Sequence, residues 1–528
     1  MNTILYNAKI HTMVKEKPFV EAVAIQNEKV FAIGTNEEIL NLSPNQFVTQ
    51  NMNGRVILPG FTDSHIHLNY YAKSLTQVDC ATNTKEECLA NVRQKVLQTQ
   101  PGEWVIGHGW NQNDWQNGYG TISDLDEISE IHPIYLTAKS LHASWANSLA
   151  LRYAGIYEQT QNPDGGKIDK NSNGELSGIL FENATQLVEK IIPSSDINQT
   201  SENLEIAQQK LWKFGITGVH DFDSKDCFLA LQKLDKGGKL KLRVLKSIPM
   251  DNLDAAIDFG ATTGFGTDFL KIGSVKLFSD GALGPQTAAM IDPYENNPSN
   301  YGILLLSSDE IFEIGKRALD ANISLAVHAI GDHANKTVLD AVRKLRIYEE
   351  KSKKPEVKHR IEHVQILNKD LLNQLAELKI TASVQPIHLI SDMETADKYW
   401  GTRSQYAYPF QSLLRYGTNI VFGSDSPVES PNPFLGIFAA TCRRKENGFP
   451  DKLGWYPEQK ISLFEAIRAY TTSPAKLSGW KKYSGRIFPN EFADLIVLDD
   501  DIFQLPHEQI MNLLPNATMV SGEWVWRR

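Results

Sequence analysis

Cysteine is scarce in this chain, and the few cysteines present are not arranged for disulfide bonds or metal clusters. Four cysteines occur among 528 residues, without CxxC spacing, so the disulfide framework of a small exported protein is excluded. We therefore expect buried or idle thiols in a reducing compartment, which indicates a cytoplasmic protein. The cysteines are Cys80, Cys88, Cys227 and Cys442.

Long hydrophobic runs and long basic runs are also missing. No uninterrupted apolar stretch approaches the roughly 20 residues that cross a bilayer, and the sequence opens without the basic and apolar segments of a signal peptide, so we expect no membrane partner. The formal net charge is −10, and lysine and arginine cluster only at residues 351–354 and 443–445. Because a nucleic-acid-binding protein needs a basic surface, this charge pattern argues against a nucleic-acid partner.

Two histidines separated by one residue, His65 and His67, follow a run of apolar residues. The run starts at Val56, is broken by a Pro-Gly pair and resumes at Phe61, which predicts a buried strand interrupted by a turn. Side chains two positions apart on a strand point to the same face, so both imidazoles can chelate one metal ion. The spacing alone is weak evidence, because two histidines so placed are more often a surface or packing accident.

Four further apolar runs end in the same way, at or near a residue type that can bind or bridge metal ions. Each run predicts a short buried strand. Helical patterns at residues 308–319, 335–345 and 369–378 separate the strands. Alternating strands and helices predict parallel βα units, and a closed TIM-like (β/α)₈ barrel places all the strand ends on one rim. The residues at these ends are Lys276, His328, His363 and Asp425.

Short alternating strands without a helical period lie before and after the predicted barrel. They bury their apolar faces most simply against one another. We therefore predict one small β-sandwich domain built from residues 1–58 and 480–528, and a barrel domain over residues 59–479. The predicted strands cover residues 4–13, 21–26, 29–34, 493–498 and 517–526.

A stretch rich in tryptophan and glycine follows the first barrel strand and is too long for one helical crossover. We predict a large insertion at the barrel rim, at about residues 80–210. Long rim insertions commonly form lids or substrate walls, so Trp110 is a candidate substrate contact. The alternative is that Trp110, Trp115 and Trp145 form the core of the insertion itself.

The segments around the strand ends carry a family resemblance. They read Val275-Lys-Leu-Phe-Ser-Asp-Gly-Ala-Leu-Gly, Ala326-Val-His-Ala-Ile-Gly-Asp-His-Ala-Asn, Arg360-Ile-Glu-His-Val-Gln and Phe422-Gly-Ser-Asp-Ser-Pro-Val. In this order, with His-x-His before them, they resemble the amidohydrolase superfamily. The branch they resemble is the YtcJ-like group, the amidohydrolase family 3 proteins that include N-substituted formamide deformylase. The resemblance runs from about residue 3 to the last strand near Trp526.

The resemblance implies a rim site for one or two divalent metal ions. His65, His67 and Asp425 would supply ligands to one ion, and His328 and His363 would supply ligands to a second. Zinc suits imidazole and carboxylate ligands best, although iron, manganese, cobalt and nickel also accept them. An ion so held lowers the pKa of bound water and polarises a scissile carbonyl.

Lys276 is the candidate bridge between two ions. Burial in an apolar strand end lowers the pKa of an ammonium group, and the resemblance implies that the neutral amine takes up carbon dioxide to become a carboxylated lysine. The alternative is an ordinary lysine paired with a carboxylate such as Asp280, beside a single ion. Asp280 is also a candidate substrate contact.

Three residues are candidates for proton transfer and substrate binding. Asp425, bound to the metal through one oxygen, can take a proton from water and pass it to the leaving nitrogen; the alternative is a ligand only. His142 and His333 can contact the substrate and steady an oxyanion, although His333 also suits a structural position at the start of a helix. The family usually carries arginine at position 333, so any anion contact made by that arginine is in doubt here.

The sequence therefore predicts a metal-dependent hydrolase that cleaves a carbon–nitrogen bond, of the amide or N-formyl type, in a small organic substrate. Two alternatives stay open: hydrolysis of a lactone or phosphoester at the same site, and an inactive relative kept for binding or assembly. All six ligand positions carry competent residue types, which favours the enzyme. The expected partner is a small-molecule substrate, with a homodimer as a possible assembly.

Overall fold

The computed structural model describes residues 2–42, 46–112, 115–116, 118–139, 143–193, 196–295, 297–477, 479–480 and 484–528. The chain divides into two compact units. The larger unit comprises Met1–Leu68 together with Leu204–Arg528, and the smaller unit comprises Asn69–Asn203.

Strands and helices alternate through most of the chain. The strands are β1 (Thr3–Tyr6), β2 (Lys9–His11), β3 (Phe19–Val20), β4 (Ala22–Gln26), β5 (Lys29–Gly34), β6 (Val48–Asn51), β7 (Val56–Pro59), β8 (Phe61–Ile66), β9 (Val78–Asp79), β10 (Val105–Trp110), β11 (Ile134–Ala138), β12 (Ala143–Ala146), β13 (Gly166–Lys170), β14 (Leu176–Glu182), β15 (Ile216–Asp221), β16 (Arg243–Pro249), β17 (Leu270–Phe278), β18 (Leu325–Ala329), β19 (Arg360–His363), β20 (Thr381–Val384), β21 (Ile420–Phe422), β22 (Leu495–Leu498), β23 (Ala517–Val520) and β24 (Glu523–Arg527).

The helices are α1 (Asn36–Leu40), α2 (Leu68–Ser74), α3 (Lys85–Val96), α4 (Ile122–Asp126), α5 (Ser148–Tyr153), α6 (Thr185–Glu189), α7 (Ile197–Lys213), α8 (Lys225–Lys236), α9 (Leu253–Asp258), α10 (Ser308–Asp320), α11 (Asp332–Ser352), α12 (Gln374–Glu377), α13 (Pro386–Trp400), α14 (Phe410–Arg415), α15 (Pro433–Cys442), α16 (Leu463–Tyr470) and α17 (Thr472–Ala475). Short 3₁₀ helices cover Met250–Asn252, Lys369–Leu371, Gly401–Tyr406, Pro457–Gln459 and His507–Asn512.

Eight parallel strands form the centre of the larger unit, in the order β8, β15, β16, β17, β18, β19, β20, β21. The first and last strands meet through a parallel bridge between Ile66 and Ser426. There the Asp425 N–H donates to the His65 carbonyl at 2.7 Å, and the His67 N–H donates to the Ser426 carbonyl at 2.9 Å. The predicted α/β fold with a parallel eight-stranded barrel is therefore confirmed, with the barrel nearly closed.

A glycine permits this closure. A Cβ atom added to Gly423 would lie 2.5 Å from the backbone nitrogen of His65, which is closer than non-bonded atoms pack in protein interiors. The segment after β21 can therefore reach β8 only because position 423 has no side chain.

Two of the three helices predicted from apolar periodicity are present, and the third is not. The helix α10 begins at Ser308, as predicted, and α11 includes all of residues 335–345. The single helix predicted over residues 369–378 is wrong, because the chain forms a 3₁₀ turn and then the four-residue helix α12. The side chain of Asn368 caps the 3₁₀ turn by accepting from the Asp370 N–H, while Leu371 and Leu375 stay buried.

Strands from both ends of the sequence form two further sheets in the larger unit. One sheet has the order β5, β4, β1, β6, and the other has the order β24, β23, β22, β7, β2, β3. A single apolar cluster draws buried side chains from both sheets, among them Leu5, Val23, Ile57, Leu495 and Met519. These sheets share one compact unit with the barrel, so a separate β-sandwich domain stays a prediction.

A buried ion pair links the barrel strand β16 to the segment before β22. Arg243 Nε lies 2.6 Å from Asp494 Oδ2, and Arg243 Nη2 donates to Asp494 Oδ1 at 3.0 Å and to Ser521 Oγ at 2.8 Å. The guanidinium carbon also lies 3.6 Å from the centre of the Phe492 ring. Two parallel charge-assisted hydrogen bonds of this kind hold a fixed geometry.

We expect Asp494→Ala to destabilise the larger unit by about 3–5 kcal/mol, because it leaves the buried guanidinium of Arg243 without its counter-charge. The matched control is Asp340→Ala, which removes partly exposed ion pairs with Lys336 and Arg343 and should cost about 0–1 kcal/mol. Urea and thermal unfolding measure both. Equal effects in the two variants would contradict the importance of the buried pair.

The smaller unit is built on a sheet of order β13, β14, β12, β11, β10, β9. Its strands β9, β10 and β11 pair in parallel, and the other pairs are antiparallel. Trp110, Trp115 and Trp145 are buried in one apolar cluster of this unit. This unit, Asn69–Asn203, overlaps the insertion predicted at about residues 80–210.

Neither membrane-spanning helices nor disulfide bonds were expected from the sequence. Within the described part of the chain, no helix combines the length and the apolar character needed to cross a membrane. The four cysteines are buried, and none of them forms a disulfide bond.

Candidate metal centre

Three side chains at the closure of the barrel converge on one point. His65 Nε2 and His67 Nε2 each lie 3.4 Å from Asp425 Oδ1. Ligand atoms held about 2.0–2.1 Å from one tetrahedral ion are about 3.4 Å apart. The donor types and their separations therefore fit a single divalent metal ion at His65, His67 and Asp425.

Carboxylates fix the orientation of both histidines. The Nδ1 atom of His65 lies 2.6 Å from Glu362 Oε2, and the Nδ1 atom of His67 lies 3.1 Å from Asp223 Oδ1. A carboxylate that accepts from Nδ1–H leaves the lone pair of Nε2 free to face a metal, and it also raises the basicity of the ring. Glu362 and Asp223 thus point the two Nε2 atoms at Asp425.

Neutral oxygens are the hydrogen-bond partners of His328 and His363, although the Asp280 carboxylate also lies 3.4 Å from His328 Nε2. The Nδ1 atom of His363 lies 2.8 Å from Gln385 Oε1, and the Nε2 atom of His328 lies 2.9 Å from the Gly281 carbonyl oxygen. The ring centre of His363 is 4.5 Å from that of His328 and 5.1 Å from that of His65. Each of the four histidines at the strand ends therefore has one ring nitrogen oriented by a hydrogen bond.

Burial keeps most of these imidazoles neutral, which is the form that binds metals. Burial lowers the pKa of His65 to about 4 and that of His328 to about 3, and it lowers the pKa of His363 well below its usual value. His67 differs. Burial opposes its charge, but the hydrogen bonds to Asp223 and Asp425 outweigh burial and raise its pKa to about 10. The two carboxylates thus attract one positive charge, either a proton on His67 or a metal ion in its place.

Lys276 lies in β17 with its amine between two aromatic rings. Its Nζ atom is 4.7 Å from the ring centre of Phe222 and 4.8 Å from that of Phe278. Burial lowers the pKa of Lys276 to about 8, although Glu362 and Asp425 act in the opposite direction. A substantial share of the amine is therefore neutral under mildly alkaline conditions.

Asp280 holds two loops of the rim together. Its carboxylate accepts the backbone N–H groups of Ala289 at 2.9 Å, Ile330 at 3.0 Å and Gly331 at 2.8 Å. Burial raises the pKa of Asp280 to about 7 despite these hydrogen bonds. No ion pair joins Asp280 to Lys276 within the residues that the structure describes. Contact with a substrate stays a prediction for this carboxylate.

Three other residues were predicted to contact a substrate: His333, Trp110 and His142. His333 is the second residue of α11, and its backbone N–H donates to the Ala289 carbonyl at 3.1 Å. Trp110 is 1 % exposed, and its indole N–H donates to the Leu136 carbonyl at 2.8 Å, so it belongs to the core of the smaller unit. His142 lies outside the described residues. Their roles toward a substrate remain predictions.

The residues that support the candidate ligands were not predicted from the sequence. Glu362 accepts from His65, and Arg360 in turn donates to Glu362 Oε2 at 2.9 Å and to the Ser64 carbonyl at 2.6 Å. Burial would raise the pKa of Glu362, but Arg360 and His65 hold it well below its usual value. Arg360 and Glu362, two charged residues in the otherwise apolar sequence of β19, were the sequence feature that could have indicated this support.

Two other groups of possible ligands lie in the described part of the larger unit. Asp221, Asp223 and Cys227 form one group, but Lys246 Nζ lies 2.9 Å from Asp221 Oδ2 and already supplies a positive charge there. The other group consists of His363, His388 and Asp425. His388 follows β20 and was also missed, although it continues the pattern of polar residues after barrel strands.

A parallel barrel with histidine and aspartate side chains gathered at its strand ends has the architecture of a metal-dependent barrel enzyme. The sequence profile of the amidohydrolase family matches residues 48–526. A YtcJ amidohydrolase of Bacillus subtilis (strain 168) is 30% identical over 542 residues, with 100% of both chains covered. The chain belongs to the amidohydrolase family.

Two further relatives agree with this assignment. N-substituted formamide deformylase from Arthrobacter pascens is 26% identical, with 98% of this chain and 97% of the relative covered. The crystal structure of an uncharacterized metal-dependent hydrolase from Pyrococcus horikoshii OT3 is 27% identical with a TM-score of 0.81, covering 96% of this chain and 99% of that chain. These similarities support a hydrolase that binds a divalent metal.

We expect Glu362→Gln to weaken metal binding by about 10- to 100-fold, because the uncharged amide no longer holds His65 as a basic ligand. The matched control is Glu349→Gln, which alters another buried glutamate paired with an arginine, Arg346. Competition with a chromophoric chelator measures the affinity of the metal-free proteins. Wild-type affinity in Glu362→Gln would show that the carboxylate does not tune the site.

Proposed function

We propose that this protein hydrolyses a carbon–nitrogen bond, of the amide or N-formyl type, in a small organic molecule. The observation that carries the proposal is the equal 3.4 Å distance from the two Nε2 atoms of His65 and His67 to one oxygen of Asp425. Such a set suits zinc, with an open position for water or substrate. The similarity to N-substituted formamide deformylase supports the choice of bond.

A bound divalent ion would lower the pKa of a coordinated water and polarise the carbonyl of the substrate. His65, His67 and Asp425 would hold this ion, and Glu362 and Asp223 would keep the imidazoles in position. An inactive relative would have no need to keep a competent residue type at all six predicted ligand positions. This favours an active enzyme over an inactive relative.

Asp425 has the second oxygen needed for proton transfer. Its Oδ1 atom faces His65 and His67, which leaves Oδ2 for a proton. Burial would raise the pKa of Asp425, but His65, His67 and His363 hold it well below its usual value. The carboxylate is therefore ionised at neutral pH and can accept a proton from water and return it to the leaving nitrogen.

Lys276 would bridge two ions after it has taken up carbon dioxide. The reaction needs a neutral amine, and burial between Phe222 and Phe278 lowers the pKa of Lys276 toward that state. A carboxylated Lys276 would add the negative charge that His328 and His363 lack as a pair of neutral ligands. The site would then hold two ions.

The metal-loaded protein should release the free amine from at least one member of a panel of N-formyl amines, N-acetyl amines and cyclic amides. Asp425→Asn keeps the shape of the side chain but removes the base, so the rate should fall by about 10² to 10⁴ fold. Elemental analysis should show a much smaller loss of metal. Near-normal turnover by Asp425→Asn would place the proton transfer elsewhere.

Lys276→Ala should lose activity, and a short carboxylic acid added with metal should restore part of it, because the acid can stand in for the missing carboxylate. Mass spectrometry of the native protein should show the added mass of carbon dioxide on Lys276. Lys271→Ala is the matched control, because Lys271 occupies the same strand β17 away from the ligands. An unmodified Lys276 amine in an active, metal-filled enzyme would reject the bridge.

A further inference from the structure

We propose that His388 donates a hydrogen bond from Nε2 to the carbonyl oxygen of the substrate and is a catalytic residue. This inference rests on the proposed function, since it assigns a residue to the same hydrolysis. None of the ligand positions predicted from the sequence includes this histidine.

The position of His388 places it at the metal centre. It is the third residue of α13, which follows the barrel strand β20. Its Nε2 atom lies 3.9 Å from Asp425 Oδ2, on the carboxylate oxygen that His65 and His67 do not face. Its ring is nearly parallel to that of His363, with centres 6.3 Å apart and an interplanar angle of 17°.

The Nε2 atom of His388 is buried without a hydrogen-bond partner. A distance of 3.9 Å to Asp425 is too long for a hydrogen bond. Leaving a buried polar atom unsatisfied costs stability, so such an atom in a native structure calls for a partner that is supplied from outside the chain. The space beside Asp425 Oδ2 is where a substrate carbonyl would have to lie for proton transfer.

His388 differs from the four histidines at the strand ends. Each of those has one ring nitrogen bonded to an acceptor, which is the arrangement found for metal ligands. Among the described residues, His388 makes no such side-chain hydrogen bond. This contrast favours a substrate contact over a fourth or fifth metal ligand, although His363, His388 and Asp425 are close enough to be considered for one ion.

In the proposed reaction, Asp425 moves the proton and His388 stabilises the charge that develops on the carbonyl oxygen. The oxygen of water bonds to the carbonyl carbon, its proton passes to Asp425 Oδ2, and the electron pair of the carbonyl moves to the carbonyl oxygen. His388 stabilises this negative oxygen and keeps its own proton throughout. When the carbonyl re-forms, the carbon–nitrogen bond breaks and Asp425 returns the proton to the leaving nitrogen.

The test compares His388→Ala and His388→Gln with His507→Gln, which changes an exposed histidine in a distant 3₁₀ helix. Removing an oxyanion donor costs about 10²- to 10³-fold in kcat. We expect this loss in His388→Ala with an unchanged KM, and a smaller loss in His388→Gln, whose amide can still donate. Metal content by elemental analysis should equal that of the wild type, and His507→Gln should match the wild type throughout.

Binding of methylphosphonate, a tetrahedral anion, provides a readout that does not need turnover. Calorimetry should show at least a tenfold weaker affinity in His388→Ala than in the wild type. Equal affinity, unchanged kcat or the loss of a metal ion in the His388 variants would each overturn the inference. A wild-type protein that turns over no amide would instead refute the proposed function, while the methylphosphonate comparison would still decide the role of His388.

Discussion

The rest of the structure depends on the backbone junction between β8 and the segment that follows β21. The Asp425 N–H donates to the His65 carbonyl, and the His67 N–H donates to the Ser426 carbonyl. These two hydrogen bonds join the first and last strands of the barrel, so the same contact that completes the fold also assembles the ligands. Asp425 reaches this position with a left-handed backbone, at φ 59°, a conformation that aspartate tolerates better than most residues. Backbone hydrogen bonds of the barrel therefore fix the positions of His65, His67 and Asp425.

The buried charges around this junction explain why it should bind a cation. Arg360 compensates Glu362, and both lie inside the barrel with almost no exposure to solvent. Asp223 and Asp425 both accept from His67 and raise its pKa, so they attract a proton to that ring. A divalent ion in place of that proton would neutralise both carboxylates, and buried charges are stable only when they are paired in this way. The charge balance and the positions of the donor atoms thus both favour a cation beside His67 and Asp425.

Sequence patterns located the barrel, because apolar runs that end in polar residues report strand ends directly. His65, His67 and Asp425 meet as parallel strands require. Glu362 was missed although it precedes His363, since its partner His65 lies on a strand across the barrel and no local pattern records that proximity. Residues 369–378 show a second limit of prediction from sequence, which concerns secondary structure. Apolar periodicity reports which side chains are buried, and Leu371 and Leu375 are buried in a segment that forms no continuous helix.

A single residue, Gly60, separates β7 from β8, yet one partner of each strand comes from a late part of the chain. The strand β7 pairs with β22, and β8 is joined by the segment after β21. During synthesis, the two histidines leave the ribosome long before Asp425 exists. Because a domain folds as a unit once its contacts are available, barrel closure must wait for most of the polypeptide. A metal ion held by His65, His67 and Asp425 could consequently enter only after residue 425 has been made and the barrel can close.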